Sequence, residues 1–107
     1  MTDMRLNFLH PVVQKGLNST VRLGERDEYK PGVELEIYET GAETPVANGV
    51  VTEVKMKPYW KVNHYDLRFQ HDEETRNCPG LWEALIRAYG EKIERDSMIT
   101  IVYFKVG

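Results

Sequence analysis

The stretch from Met98 to Val106 is an almost unbroken apolar run rich in β-branched and aromatic residues, the pattern of a strand buried on both faces. Such a strand must have neighbours on each side and a packed layer above and below, so the rest of the chain has to supply a sheet. Val33, Leu35 and Ile37 alternate with Glu34, Glu36 and Tyr38, the two-residue period of a half-buried strand, and Pro31-Gly32 provides the turn before it. Val46 to Met56 reads as one long strand with Gly49 at a bulge. Thr20 to Leu23 reads as another, and Leu6, Phe8 and Leu9 suggest an initial one.

Helical signals are few. Pro11 opens a predicted short turn through Val12, Val13 and Gln14 that Gly16 ends in a left-handed cap. Leu81, Leu85 and Ala88 fall on one stripe, widened by Trp82, Ile86 and Tyr89, while Glu83 and Arg87 face outward. Pro79 suits the first turn and Gly90 the stop, so a helix is predicted over Pro79 to Tyr89. The order predicts an α+β chain: a small mixed β-barrel with one short and one longer helix, forming a single domain across 1–107.

A chain of 107 residues has room for one modest core, and its single cysteine, Cys78, cannot form an internal disulfide. No apolar run is long enough to span a bilayer and no leader-like start is visible, which predicts a cytoplasmic protein without membrane partners. The formal net charge of −3 excludes coating of nucleic acid by the whole surface, so any such site must be a local patch. Basic residues do cluster, at Lys15, Arg22, Arg26 and Lys30 and again at Lys55, Lys57, Lys61 and Arg68. His10, His64, His71 and Cys78 match no standard zinc spacing, so no metal and no other cofactor is expected. Cys78 reads as an inert packed thiol, although the start of a helix is where a thiol pKa can fall.

Two segments carry binding chemistry. In Gly16-Leu-Asn-Ser-Thr-Val-Arg22, a glycine turn is followed by Asn18, Ser19 and Thr20 as pocket polar groups. Arg22 offers a planar fork that grips a phosphate or a nucleobase carbonyl, or alternatively an ion pair to Glu36 or Glu74. Lys55-Met-Lys-Pro-Tyr-Trp-Lys61 interleaves cations with aromatics. Trp60 is then either a core residue or an exposed ring on which a base stacks while Lys55 and Lys57 meet phosphates.

The short helix ending at Gly16, Thr20 and Arg22, the Tyr29-Lys-Pro-Gly32 turn, the Ala47 to Val54 strand, the helix ending at Tyr89 and the closing Ile101-Val-Tyr-Phe104 together resemble the ASCH family, a branch of the PUA-like barrel fold. The resemblance implies RNA binding or, as in some small bacterial members, an amidohydrolase that deacetylates acetylated cytidine. It would make Thr20 and Glu74 the catalytic pair, yet Leu17 or Asn18 stands where the family carries a lysine, and Val33 where it carries an acid. Asparagine forms hydrogen bonds but cannot act as a base. Lys15 is the nearest substitute amine. The sequence therefore predicts a PUA-like domain that binds RNA or a modified nucleoside in a cleft around Gly16 to Arg22, with the amidohydrolase and a protein-interaction module with a degenerate pocket as alternatives.

Overall fold

The computed structural model describes residues 4–8, 13, 15–70, 75–90 and 93–107. Five strands form one mixed sheet: β1 (Met4–Phe8), β2 (Gly16–Leu23), β3 (Glu34–Glu39), β4 (Ala47–Pro58) and β5 (Met98–Val106), in the order β1-β3-β4-β5-β2. Only β1 and β3 run parallel; the other neighbours are antiparallel. The helix α1 spans Cys78–Tyr89, and a single 3-10 turn, Tyr59–Lys61, follows β4.

The doubly buried strand sits where its composition requires, between β4 and β2, and its side chains feed two separate cores. Ile99, Ile101 and Tyr103 point to one face, where they pack with Val21, Leu67 and the α1 residues Leu81 and Leu85. Val102, Phe104 and Val106 point to the other and meet Tyr29, Leu35, Ile37 and Val51. We call these the helix face and the opposite face.

Asn77 caps α1, its side-chain oxygen accepting from the Gly80 N–H at 2.8 Å, and Gly90 closes the helix with an N–H bond to the Ile86 carbonyl. The helix starts at Cys78, one residue earlier than predicted, and Ala88 is exposed rather than part of the buried stripe. The predicted short helix largely lies outside the described residues: Val13 has no regular structure, and Gly16, with φ of +94°, opens β2 instead of capping a helix. β2 thus begins well before the predicted Thr20.

The irregularity in β4 falls at Thr52, where the register shifts between Val51 and Glu53, and not at Gly49. Gly49 has another cause. A Cβ there would stand 3.0 Å from the Lys105 carbonyl oxygen and 3.3 Å from the Phe104 ring, so glycine lets β4 lie close against β5. Among the described residues, no helix is long and apolar enough to cross a membrane.

Candidate functional site

Strand alternation divides the predicted pocket residues between the two faces of the sheet. Asn18, Thr20 and Arg22 stand opposite Phe104, Val102 and Thr100, on the opposite face, whereas Ser19, Val21 and Leu23 pair with Tyr103, Ile101 and Ile99 on the helix face. Asn18 and Ser19 are fully buried and Thr20 nearly so. Asn18 Nδ2 donates to the Gly16 carbonyl at 3.2 Å. The segment is a packed strand, and its polar side chains face in opposite directions.

Ser19 begins a buried chain of hydrogen bonds on the helix face. Its hydroxyl donates to Gln70 Oε1 at 2.9 Å, Gln70 Nε2 donates to Thr75 Oγ1 at 3.1 Å, and the Ser19 N–H donates to the Phe69 carbonyl at 2.7 Å. These bonds fasten the segment after the 3-10 turn to the edge of the sheet. Buried polar groups of this kind stabilise the fold only when every member is satisfied.

Arg22 is half-buried on the face that holds Tyr29. Burial raises the Tyr29 hydroxyl pKa above its ordinary 10.0, against the opposing pull of the Arg22 charge. Glu36, one acid considered as its partner, projects from the other side of β3, between the core residues Leu35 and Ile37. Glu74, the other, lies outside the described residues, as do His10 and His71. The proposed pairing of Thr20 with Glu74 is therefore not described.

Lys55 and Lys57 lie on the helix face, opposite Ile101 and Ile99, and so across the sheet from Thr20 and Arg22. The Thr52 bulge sets this orientation. Both ammonium groups donate to Asp66, Lys57 to Oδ2 at 2.7 Å and Lys55 to Oδ1 at 3.1 Å. The Asp66 side chain is only 3% exposed, against 27% and 24% for the two lysines. Burial alone would raise the Asp66 pKa, but the bonds from Lys57, Lys55 and the Asn63 N–H outweigh it and hold the carboxyl below its ordinary 3.8. The same bond raises Lys55 above 10.5. Two cations share one carboxylate, so the cluster keeps a positive charge.

Asp66 escaped the sequence reading, although a local signal exists. Asn63 Oδ1 accepts from the Asp66 N–H at 3.0 Å, and Asp66 Oδ2 accepts from the Asn63 N–H at 3.2 Å, a reciprocal arrangement that the Asn-x-x-Asp spacing encodes. Tyr103 adds a hydroxyl bond to the Asp66 carbonyl at 2.7 Å.

Around this anchor the surface is aromatic and cationic. Trp60 is 62% exposed on the 3-10 turn, with Lys61 Nζ 5.2 Å from its ring centroid. Tyr65 is 65% exposed and carries the Arg68 guanidinium 3.6 Å from its ring centroid. From Lys55 to Arg68 there are four lysines and arginines against one acid, in a chain whose overall charge is negative. Trp60 is thus no core residue; Tyr59 next to it takes that place, its ring 4.8 Å from that of Trp82.

Cys78 occupies the first position of α1, where the helix dipole favours a thiolate, yet burial pushes its thiol above 9.0. Its Sγ bonds the Val62 carbonyl at 3.5 Å, consistent with an inert packed thiol. No group of three histidine, cysteine or acidic side chains suited to a metal occurs among the described residues. An open groove of about 450 Å³, bordered by Glu34, Glu36, Asn48 and Lys105, brings together none of the predicted site residues.

No family model matches the sequence, and no curated protein matches it. Among solved structures, the chain resembles an ASCH domain from Lactobacillus crispatus JV V101, with a TM-score of 0.67 at 16% identity, over 83% of this chain and 63% of that one. It also resembles protein EF3133 of the DUF984 family from Enterococcus faecalis V583, with a TM-score of 0.54 at 18% identity, over 86% of this chain and again 63% of the other. The chain spans less than two thirds of the length of either. The fold is ASCH-domain-like, and its curled sheet is barrel-like.

Proposed function

We propose that this chain is an RNA-binding domain of PUA-like type that holds single-stranded RNA on the surface between Lys55 and Arg68. The observation that carries the reading is the pair of solvent-exposed rings, Trp60 and Tyr65, each with a cation at its face. Exposed aromatics accept the faces of unpaired bases whatever the sequence, while adjacent lysines and arginines meet the phosphates. A large aromatic ring left in water loses the burial that usually justifies it, so a pair of them invites a partner. The ASCH-like fold supports the same reading. Compared with the Gly16 to Arg22 cleft expected from sequence, this interface keeps Arg22 and Thr20 on the far side of the sheet, and gives Lys55 and Lys57 the double role of anchoring Asp66 and supplying positive charge.

Titration of fluorescently labelled, U-rich single-stranded RNA at low and moderate salt tests the proposal. Binding should weaken steeply with salt, because phosphate contacts release counterions. Trp60→Ala should lose about 1 to 3 kcal/mol of binding for the base it stacks, with little change in melting temperature. Flat titrations at low salt would refute an RNA-binding role.

A further inference from the structure

Arg68 is held in a way that exposed arginines rarely are. Its guanidinium carbon lies 3.6 Å from the centroid of the Tyr65 ring and 4.5 Å from that of Phe69, and Nη1 donates to the Tyr65 carbonyl at 2.7 Å. At 3.6 Å the guanidinium carbon is in van der Waals contact with the face of the Tyr65 ring. Among the described residues no carboxylate pairs with it. With Nη1 engaged, the Nε and Nη2 donors along the other edge of the fork have no partner there. The rotamer freedom that a long side chain ordinarily loses on binding is already spent, and the charge is not neutralised.

The geometry points to Arg68 as a specificity residue that reads the Hoogsteen edge of a guanine base in single-stranded RNA, an inference that rests on the RNA-binding role proposed above. Guanine presents two acceptors, N7 and O6, side by side in one plane, which match the two parallel donors. A base bonded this way lies in the plane of the guanidinium, whose own contact with the Tyr65 ring fixes where the two donors point. A tetrahedral phosphate could accept the same two bonds, and base identity at the contacted position tells the two apart. Adenine places an amino donor where guanine has O6, and would set donor against donor.

The test uses the wild-type chain and a short U-rich RNA with one central position varied. Guanosine and inosine, which share N7 and O6, should bind about tenfold or more tighter than adenosine or 7-deazaguanosine, which lack one or the other acceptor. Arg68→Lys keeps the charge but loses the planar pair of donors, and should erase that preference, so that the guanosine and 7-deazaguanosine RNAs bind the variant alike. Equal binding of guanosine and 7-deazaguanosine by the wild type would overturn the inference, and needs no variant. An Arg68→Lys protein that binds every RNA more weakly by the same factor would instead mark Arg68 as a phosphate contact. RNA binding without guanosine preference removes this inference alone; no binding of any RNA removes the RNA-binding role with it.

Discussion

Replacing Asp66 by asparagine keeps the shape of the side chain and removes its charge, leaving Lys55 and Lys57 facing each other and an amide group that cannot accept all three bonds. Breaking a buried ion pair from one side costs about 3 to 5 kcal/mol. Here the lysines are 27% and 24% exposed and can turn their ammonium groups to water, which reduces the loss to roughly 2 to 3 kcal/mol. For a domain of this size that corresponds to a fall in melting temperature of roughly 10 to 15 °C. The pH dependence supplies a second reading of the same contact. Because the folded carboxyl lies below 3.8, its contribution is complete above that value and is lost as pH falls through the folded pKa. Lys55, raised above 10.5, contributes below that value and loses its share as pH rises through its folded pKa. Thermal and urea melts of wild type and Asp66→Asn, from about pH 3 to neutrality, should therefore show the variant less stable at neutral pH with a flatter acid limb. A loss below about 0.5 kcal/mol with an unchanged acid limb would show that the three charges behave as a solvated surface cluster, for which such small values are typical.

Two further outcomes follow from packing. Asn18→Lys, which restores the residue that the family resemblance expects, places an ammonium at a fully buried strand position and should lower stability by several kcal/mol in urea melts, without producing deacetylation of acetylated cytidine. Gly49→Ala pushes a methyl against the Lys105 carbonyl and the Phe104 ring, and should cost about 1 to 3 kcal/mol by the same measurement; a neutral effect would mean that β4 can move away from β5 freely.

The sheet was legible where local pattern and tertiary demand agree. The run from Met98 to Val106 became β5 with the predicted bounds, and the Pro79 to Gly90 signals delimited α1 to within one residue. The expectation of one pocket holding Asn18, Ser19 and Thr20 fails because β2 starts at Gly16 and not at Thr20, so strand alternation turns Ser19 away from the other two. What local pattern could not show is the relation of Lys55 and Lys57 to that set, since this depends on two pairings through β5 and on the extra residue at Thr52. The Asp66 anchor, Gln70 and the Tyr65–Arg68 stack lie in turns without periodicity, so only contacts between distant residues give them meaning. Trp60 illustrates the same limit: its neighbour Tyr59 is buried and it is not, a distinction set by a single 3-10 turn.

The position of β5 has a further consequence for how the chain comes to be made. β2 pairs along its length with β5, as does β4, so the strand that holds the two halves of the sheet together is the last of the five to be synthesised. Until Val106 has left the ribosome, Gly16–Leu23 lacks its long-range partner strand, and Val21 and Leu23 on one face, like the buried polar groups Asn18 and Thr20 on the other, wait unpaired with β5 in the nascent chain. Pairings that close so much intervening sequence are slow to form, and this places the period of greatest exposure to aggregation between the synthesis of β2 and the emergence of β5.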